Sequence, residues 1–174
     1  MAKTFLSFLL LFVVLVLAQV TIFNHIWLFG MAMPLVFIYF IISLPVTTPV
    51  NWTLTLGFLI GLSVDVFSNT AGLNALSCTI LSGLRRPILR LYLPREEDMT
   101  NPIPSIRSTG AGSYTKYVLT MTMTYCLVYF TVDSAGFFNI GTMSVRILAS
   151  TVLTFMMLLA LAGTVSWNNS GSRK

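Results

Sequence analysis

From Phe5 to Phe23 the chain is apolar almost without a break, and Gln19 is the only strongly polar side chain inside the run. Further apolar runs follow at about Phe29–Leu44, Thr53–Phe67, Leu73–Leu84, Tyr114–Val132 and Thr142–Val165. In lipid, each backbone N–H and C=O must be satisfied without water, which leaves helices and closed barrels as spanning structures. The runs have helix length and lack the alternation of barrel strands. The chain is 56% hydrophobic and 9% charged, where a soluble domain carries about a quarter charged residues. The expectation is an all-α integral membrane protein, one domain over residues 1–174 with six transmembrane helices.

A signal peptide is the competing reading of the first run. The run is longer than a typical signal core, and no small-x-small cleavage site follows it, so it reads as a retained span. Lysines and arginines then set the topology. With Lys3 inside, six crossings place the 85–113 loop, Lys116 and the Arg173-Lys174 tail on the same side, so both termini are expected to be cytoplasmic. Membrane topology thus accounts for the +5 net charge, and nucleic acid is not an expected partner. Arg85, Arg86, Arg90 and Arg95 alternate with large apolar residues and read as a basic loop lying on the membrane surface. The third and fourth runs are short for a full crossing, which asks for bilayer thinning or burial against partners.

The most informative stretch is Leu56–Leu84. Gly57, Gly61 and Asp65 are four apart and share one side of a helix, with Thr53 before them and Ser68 after. Small residues at this spacing let another helix approach closely. An acid closing such a stripe is costly in apolar surroundings and invites a functional or structural partner. Ser68–Gly72 reads as a tight turn. Asn74, Cys78 and Ser82 form a second small stripe that could face the glycines, because helices joined by so short a turn are antiparallel neighbours. Arg146, Asp65 and Asp133 all fall at the outer ends of their helices, so an Asp65–Arg146 pair is expected to tie helix three to helix six, with Asp133 the second choice. Thr142 and Ser150 share the Arg146 side of the sixth helix. Tyr114, Tyr117, Tyr125 and Tyr129 mark a face of the fifth helix, for which interface anchoring and packing are commoner uses than a ligand cage.

The catalytic inventory is short. No zinc-protease, nucleophile-elbow or phosphate-loop motif occurs, and Glu96-Glu97-Asp98 is most simply a solvated charge run. Cys78 and Cys126 fall inside spans and read as packing residues, and His25 alone cannot build a metal centre. No cofactor, metal or enzymatic activity is expected.

The core Gly57-Phe58, Gly61-Leu62, Asp65, Phe67-Ser68, Thr70, Gly72-Leu73-Asn74-Ala75 resembles the central motif of the rod-shape-determining MreD family. The basic stretch LRRPILRLYLPRE and the RILASTVLT segment, Arg146 to Thr154, resemble the shorter-looped MreD proteins of Bacteroidetes-type bacteria. The resemblance implies a multi-pass protein of the bacterial cell inner membrane with no enzymatic activity. It implies a fold similar to the substrate-binding component of energy-coupling-factor vitamin transporters. Its implied role is in cell shape and lateral peptidoglycan synthesis: binding MreC, and through it MreB and RodA with its transpeptidase. Gly57, Gly61, Asp65, Ser68, Gly72 and Asn74 carry over as packing or partner-binding positions, with the Phe137-Phe138 turn and the basic loop as further contact surfaces. The alternative is a vitamin-uptake subunit. Against it, the first helix offers only Ala18 where such subunits carry an Ala-xxx-Ala dock, and the outer turns are poor in polar groups.

Overall fold

The computed structural model describes residues 2–23, 33–92, 103–104, 110–134 and 140–171, with the backbone alone at 2–5, 140, 142 and 164–171. Among the described residues there are six α-helices and no strand. They are α1 (Ala2–Thr21), α2 (Tyr39–Ser43), α3 (Val50–Ser68), α4 (Leu73–Tyr92), α5 (Ala111–Asp133) and α6 (Ile140–Gly171). A 3-10 turn, Val36–Ile38, leads into α2. Among the described residues two stretches are long and apolar enough to cross a membrane, Val50–Ser68 and Met143–Gly163, and Leu6–Thr21 is a shorter apolar helix.

The chain packs largely in sequence order. α3 lies along α4, α4 along α5, and α5 along α6, while α1 touches α3 and the 3-10 turn. The α3–α4 turn is built by two residues with positive φ. Asn69, at φ 53°, stops α3 in the left-handed conformation that a short amide side chain tolerates. Gly72, at φ 82°, takes the second such position, where a Cβ would be strained.

Two elements differ from the sequence expectation. The Phe29–Leu44 run is expected as a helical span, yet among its described residues, 33–44, residues 33–35 are irregular and only Tyr39–Ser43 is α-helical. Every residue from Pro34 to Leu44 is buried, and this segment forms the centre of the core, between Leu15 and Val16 of α1, Ile60 and Val64 of α3, and Leu158 of α6. Irregular backbone survives in apolar surroundings only when protein groups satisfy its N–H and C=O groups, and here they do, as described below. The second difference is α4, expected to stop at Leu84. It continues through Arg85, Arg86 and Arg90 to Tyr92, with Pro87 inside it. Arginine is a good helix former. Pro87 sits on the exposed side, and the helical donor it removes is the one that would serve the exposed Gly83.

Candidate functional site

Asp65 is 3% exposed, one turn before the end of α3. Its carboxylate reaches across the turn to the start of α4. Oδ1 accepts the Asn74 backbone N–H at 3.1 Å, the Asn74 Nδ2 at 2.9 Å and the Thr70 hydroxyl; Oδ2 accepts the Ala75 N–H at 2.7 Å. A helix leaves its first N–H groups unpaired and carries partial positive charge there. α4 has no acid of its own in its first turn, so Asp65 caps it from the neighbouring helix. The network continues inward, since the Tyr125 hydroxyl donates to Asn74 Oδ1 at 2.7 Å. Tyr125 in turn stacks on Tyr129 at 6.0 Å and meets the edge of Phe37 at 5.8 Å.

The glycines close the same hairpin. A Cβ at Gly61 would lie 2.5 Å from the Asn74 carbonyl oxygen, 2.6 Å from the Ala75 Cα and 2.7 Å from the Ala75 N, so α4 backbone fills the notch. A Cβ at Gly57 would overlap Ser82 Oγ and stand 3.0 Å from the Cys78 carbonyl oxygen. The Asn74, Cys78 and Ser82 stripe therefore does face the glycines. Of the two expected uses of these positions, packing or partner binding, the notches at Gly57 and Gly61 serve packing within the chain.

The broken segment before α2 is held by side chains that the sequence reading did not assign to it. Gln19 of α1 donates from Nε2 to the Pro34 carbonyl at 2.9 Å and accepts the Val36 N–H on Oε1 at 2.9 Å. From α6, Ser150 Oγ accepts the Met33 N–H at 3.2 Å and Thr154 Oγ1 accepts the Leu35 N–H at 3.1 Å. A polar residue inside each of two apolar runs was the available signal. A cavity of about 30 Å³ lies between this clamp and the Asp65 turn, lined by Gln19, Met33, Leu35, Phe37, Val64, Ser68, Thr70, Asn74 and Tyr129. That volume suits ordered water. Small-molecule sites occupy about 300–1,000 Å³.

Arg85 marks the opposite end of the bundle. It is 0% exposed. Its NH2 group donates to the Leu44 carbonyl and lies 3.5 Å from the Pro45 carbonyl, and Arg86 donates to the Thr48 carbonyl at 3.2 Å. The two arginines thus close the chain between α2 and α3. Arg85 Nε and NH1, Arg86 Nε and the Tyr117 hydroxyl are buried without a hydrogen-bond partner. Tyr117 stands beside the Arg85 guanidinium, with its hydroxyl in reach of it. The expected surface loop is accordingly corrected for Arg85, which is an interior residue of α4; Arg86 is half-buried and Arg90 is exposed on the same helix.

The expected Asp65–Arg146 pair does not form. Asp65 spends its oxygens on its own turn, and Arg146 is exposed on α6. Asp133, the second choice, is also exposed. Ser150 and Arg146 part company, Ser150 being fully buried against the broken segment. Tyr114, Tyr117, Tyr125 and Tyr129 all face the core rather than an interface, with Tyr114 meeting Tyr39. Cys78 and Cys126 are buried free thiols, and no cluster of three metal-ligating side chains occurs among the described residues. Ser68 borders the cavity and Gly72 shapes the turn. His25, Arg95, Glu96, Glu97, Asp98, Phe137, Phe138, Arg173 and Lys174 lie outside the described residues.

No family model matches the chain, and neither the curated proteins nor the solved structures provide a match.

Proposed function

We propose that this chain is a non-enzymatic scaffold of the MreD type: a six-span protein of the bacterial inner membrane that binds MreC and supports lateral peptidoglycan synthesis. The observation that carries this reading is where the motif residues lie. Gly57, Gly61, Asp65, Thr70, Gly72 and Asn74 gather into one turn and one helix seam. Their polar atoms are consumed by each other, by α4 backbone and by Tyr125. A motif spent on joining two helices suits a protein whose product is its own shape. In this reading, Met33–Leu44 crosses as an irregular stretch, a 3-10 turn and a short helix, and both termini are cytoplasmic. MreC would meet the outward faces of the bundle, since the glycine face is already filled.

A vitamin-uptake subunit is the second reading, favoured by the shared helix number. The water-sized cavity at the Asp65 end weighs against it. Mild-detergent purification of the full chain from its native membrane separates the two. Recovery of MreC, MreB and RodA supports the scaffold; recovery of an ATPase module with a bound vitamin refutes it.

A further inference from the structure

We propose that Arg85 is the receiving group of a phosphate site at the α2–α3 end of the bundle, with Tyr117 as its second donor. The source favoured by its position is the headgroup of an anionic phospholipid.

The inference starts from an imbalance. Arg85 is wholly buried; its NH2 group donates to the backbone carbonyls of Leu44 and Pro45, and the Tyr117 hydroxyl lies beside the guanidinium. Its Nε and NH1 are buried and unpartnered, as are Arg86 Nε and the Tyr117 hydroxyl. Buried donors are almost always paired with protein, water or an ion, and a buried charge without a counter-charge is strongly unfavourable. Carbonyl oxygens carry partial negative charge but do not neutralise a guanidinium. Among the described residues the acids are Asp65 and Asp133, at the C-terminal ends of α3 and α5. Arg85 contacts the opposite ends: the approach to α3 through Leu44 and Pro45, and the early part of α5 through Tyr117. Arg86, Arg90 and Lys116 share that end. The described charged side chains there are all cations.

Phosphate fits this set. An arginine, a phenol and a second arginine offer N–H and O–H donors to tetrahedral oxygens, which is the chemistry arginine serves best. Cationic pockets between helices on the cytoplasmic side take anionic lipid headgroups. Only one phosphate oxygen has to reach Nε or NH1. Arg85 is covered in this structure, so the side chains over it must shift on binding. A lipid held this way should fill slowly and survive washing. The proposal depends on a membrane setting and not on the identity of any protein partner.

Native mass spectrometry of the purified full chain tests it. The protein is washed in neutral detergent, then titrated with phosphatidylglycerol, phosphatidylcholine or inorganic phosphate. The expected result is one phosphatidylglycerol retained in preference to phosphatidylcholine. Its affinity should fall about tenfold in Arg85→Gln and two- to threefold in Tyr117→Phe, and stay within twofold in Arg90→Gln, which removes an exposed charge. Inorganic phosphate binding with the same Arg85 dependence, in the absence of lipid binding, would keep the site and assign it to free phosphate. Equal binding to wild type and Arg85→Gln would overturn the proposal. So would no binding of either probe to wild type, or an acidic protein partner captured through Arg85 in place of phosphate. Should Arg85→Gln fail to fold, Tyr117→Phe and the wild-type lipid preference still decide.

Discussion

Among the described residues two charged side chains are buried, and the fold treats them differently. Asp65 accepts from four donors within its own hairpin, and its negative charge sits at the positive end of α4. Arg85 donates to backbone carbonyls with one nitrogen group and leaves two nitrogens orphaned. The first is a closed account of charge and hydrogen bonds; the second is incomplete. A buried charge alone therefore does not identify a site of action. The number of unmet donors or acceptors around it does, and by that measure Asp65 holds the fold while Arg85 awaits an anion.

Removing Asp65 should have the largest effect. Asp65→Ala leaves the Asn74 and Ala75 amides, the Asn74 side chain and the Thr70 hydroxyl without their shared acceptor. Buried polar groups stranded in this way cost about 3–5 kcal/mol together. Denaturant unfolding of the purified chain in neutral detergent measures it, and a loss below about 1 kcal/mol would dissolve the contrast with Arg85.

The glycine seam sharpens the same point at somewhat smaller scale. Gly61→Ala drives a methyl into α4 backbone, and overpacking of this kind costs about 1–3 kcal/mol. Gly57→Ala meets mainly the Ser82 side chain. Ser82→Ala should then recover about 1 kcal/mol in the double variant, a coupling that a thermodynamic cycle reads directly. No such partner exists for Gly61, so recovery there by any α4 side-chain truncation would show that the seam is looser than described.

Gln19→Leu comes next. It removes both hydrogen bonds to the segment before α2 and leaves the Pro34 carbonyl and Val36 N–H buried. The expected loss is about 2 kcal/mol by unfolding, with faster amide exchange at Leu35 and Val36. Arg146→Gln should be the smallest, within about 0.5 kcal/mol, because Arg146 is exposed. A large loss at Arg146 would restore the ion pair that the geometry does not form.

These sites differ in how far they could be read from the residues. The α3–α4 hairpin was legible because its rules are local. Glycines four apart, a polar turn and an acid near the helix end all act within about twenty residues of each other. Apart from α2 and the C-terminal ends of α4 and α6, helix ends in the structure lie within about three residues of those expected, the ordinary scatter of fraying termini. The segment before α2 was not legible. A buried apolar run looks alike as a helix or as irregular backbone, and what decides is whether distant side chains satisfy it. Its clamps, Gln19, Ser150 and Thr154, come from opposite ends of the chain. Arg85 was misplaced for a related reason. A pair of arginines after an apolar run looks like a membrane boundary, and only the fold reveals that carbonyls of the α2–α3 connection draw the first one inward. The Asp65–Arg146 expectation matched charges by depth alone, whereas nearer donors in the Thr70–Ala75 turn had already taken the carboxylate.

The contrast between the two buried charges is tested most directly by measuring the same two substitutions in two lipids. Wild type, Asp65→Asn and Arg85→Gln would be placed in nanodiscs of phosphatidylcholine alone and of phosphatidylcholine with phosphatidylglycerol, and their apparent Tm values compared. The account predicts that Asp65→Asn lowers Tm by the same amount in both lipids, and that Arg85→Gln, which also loses the Leu44 and Pro45 bonds, lowers it by more where the anionic lipid is present. An Asp65→Asn deficit that follows lipid charge, or an Arg85→Gln deficit equal in the two lipids, would contradict it.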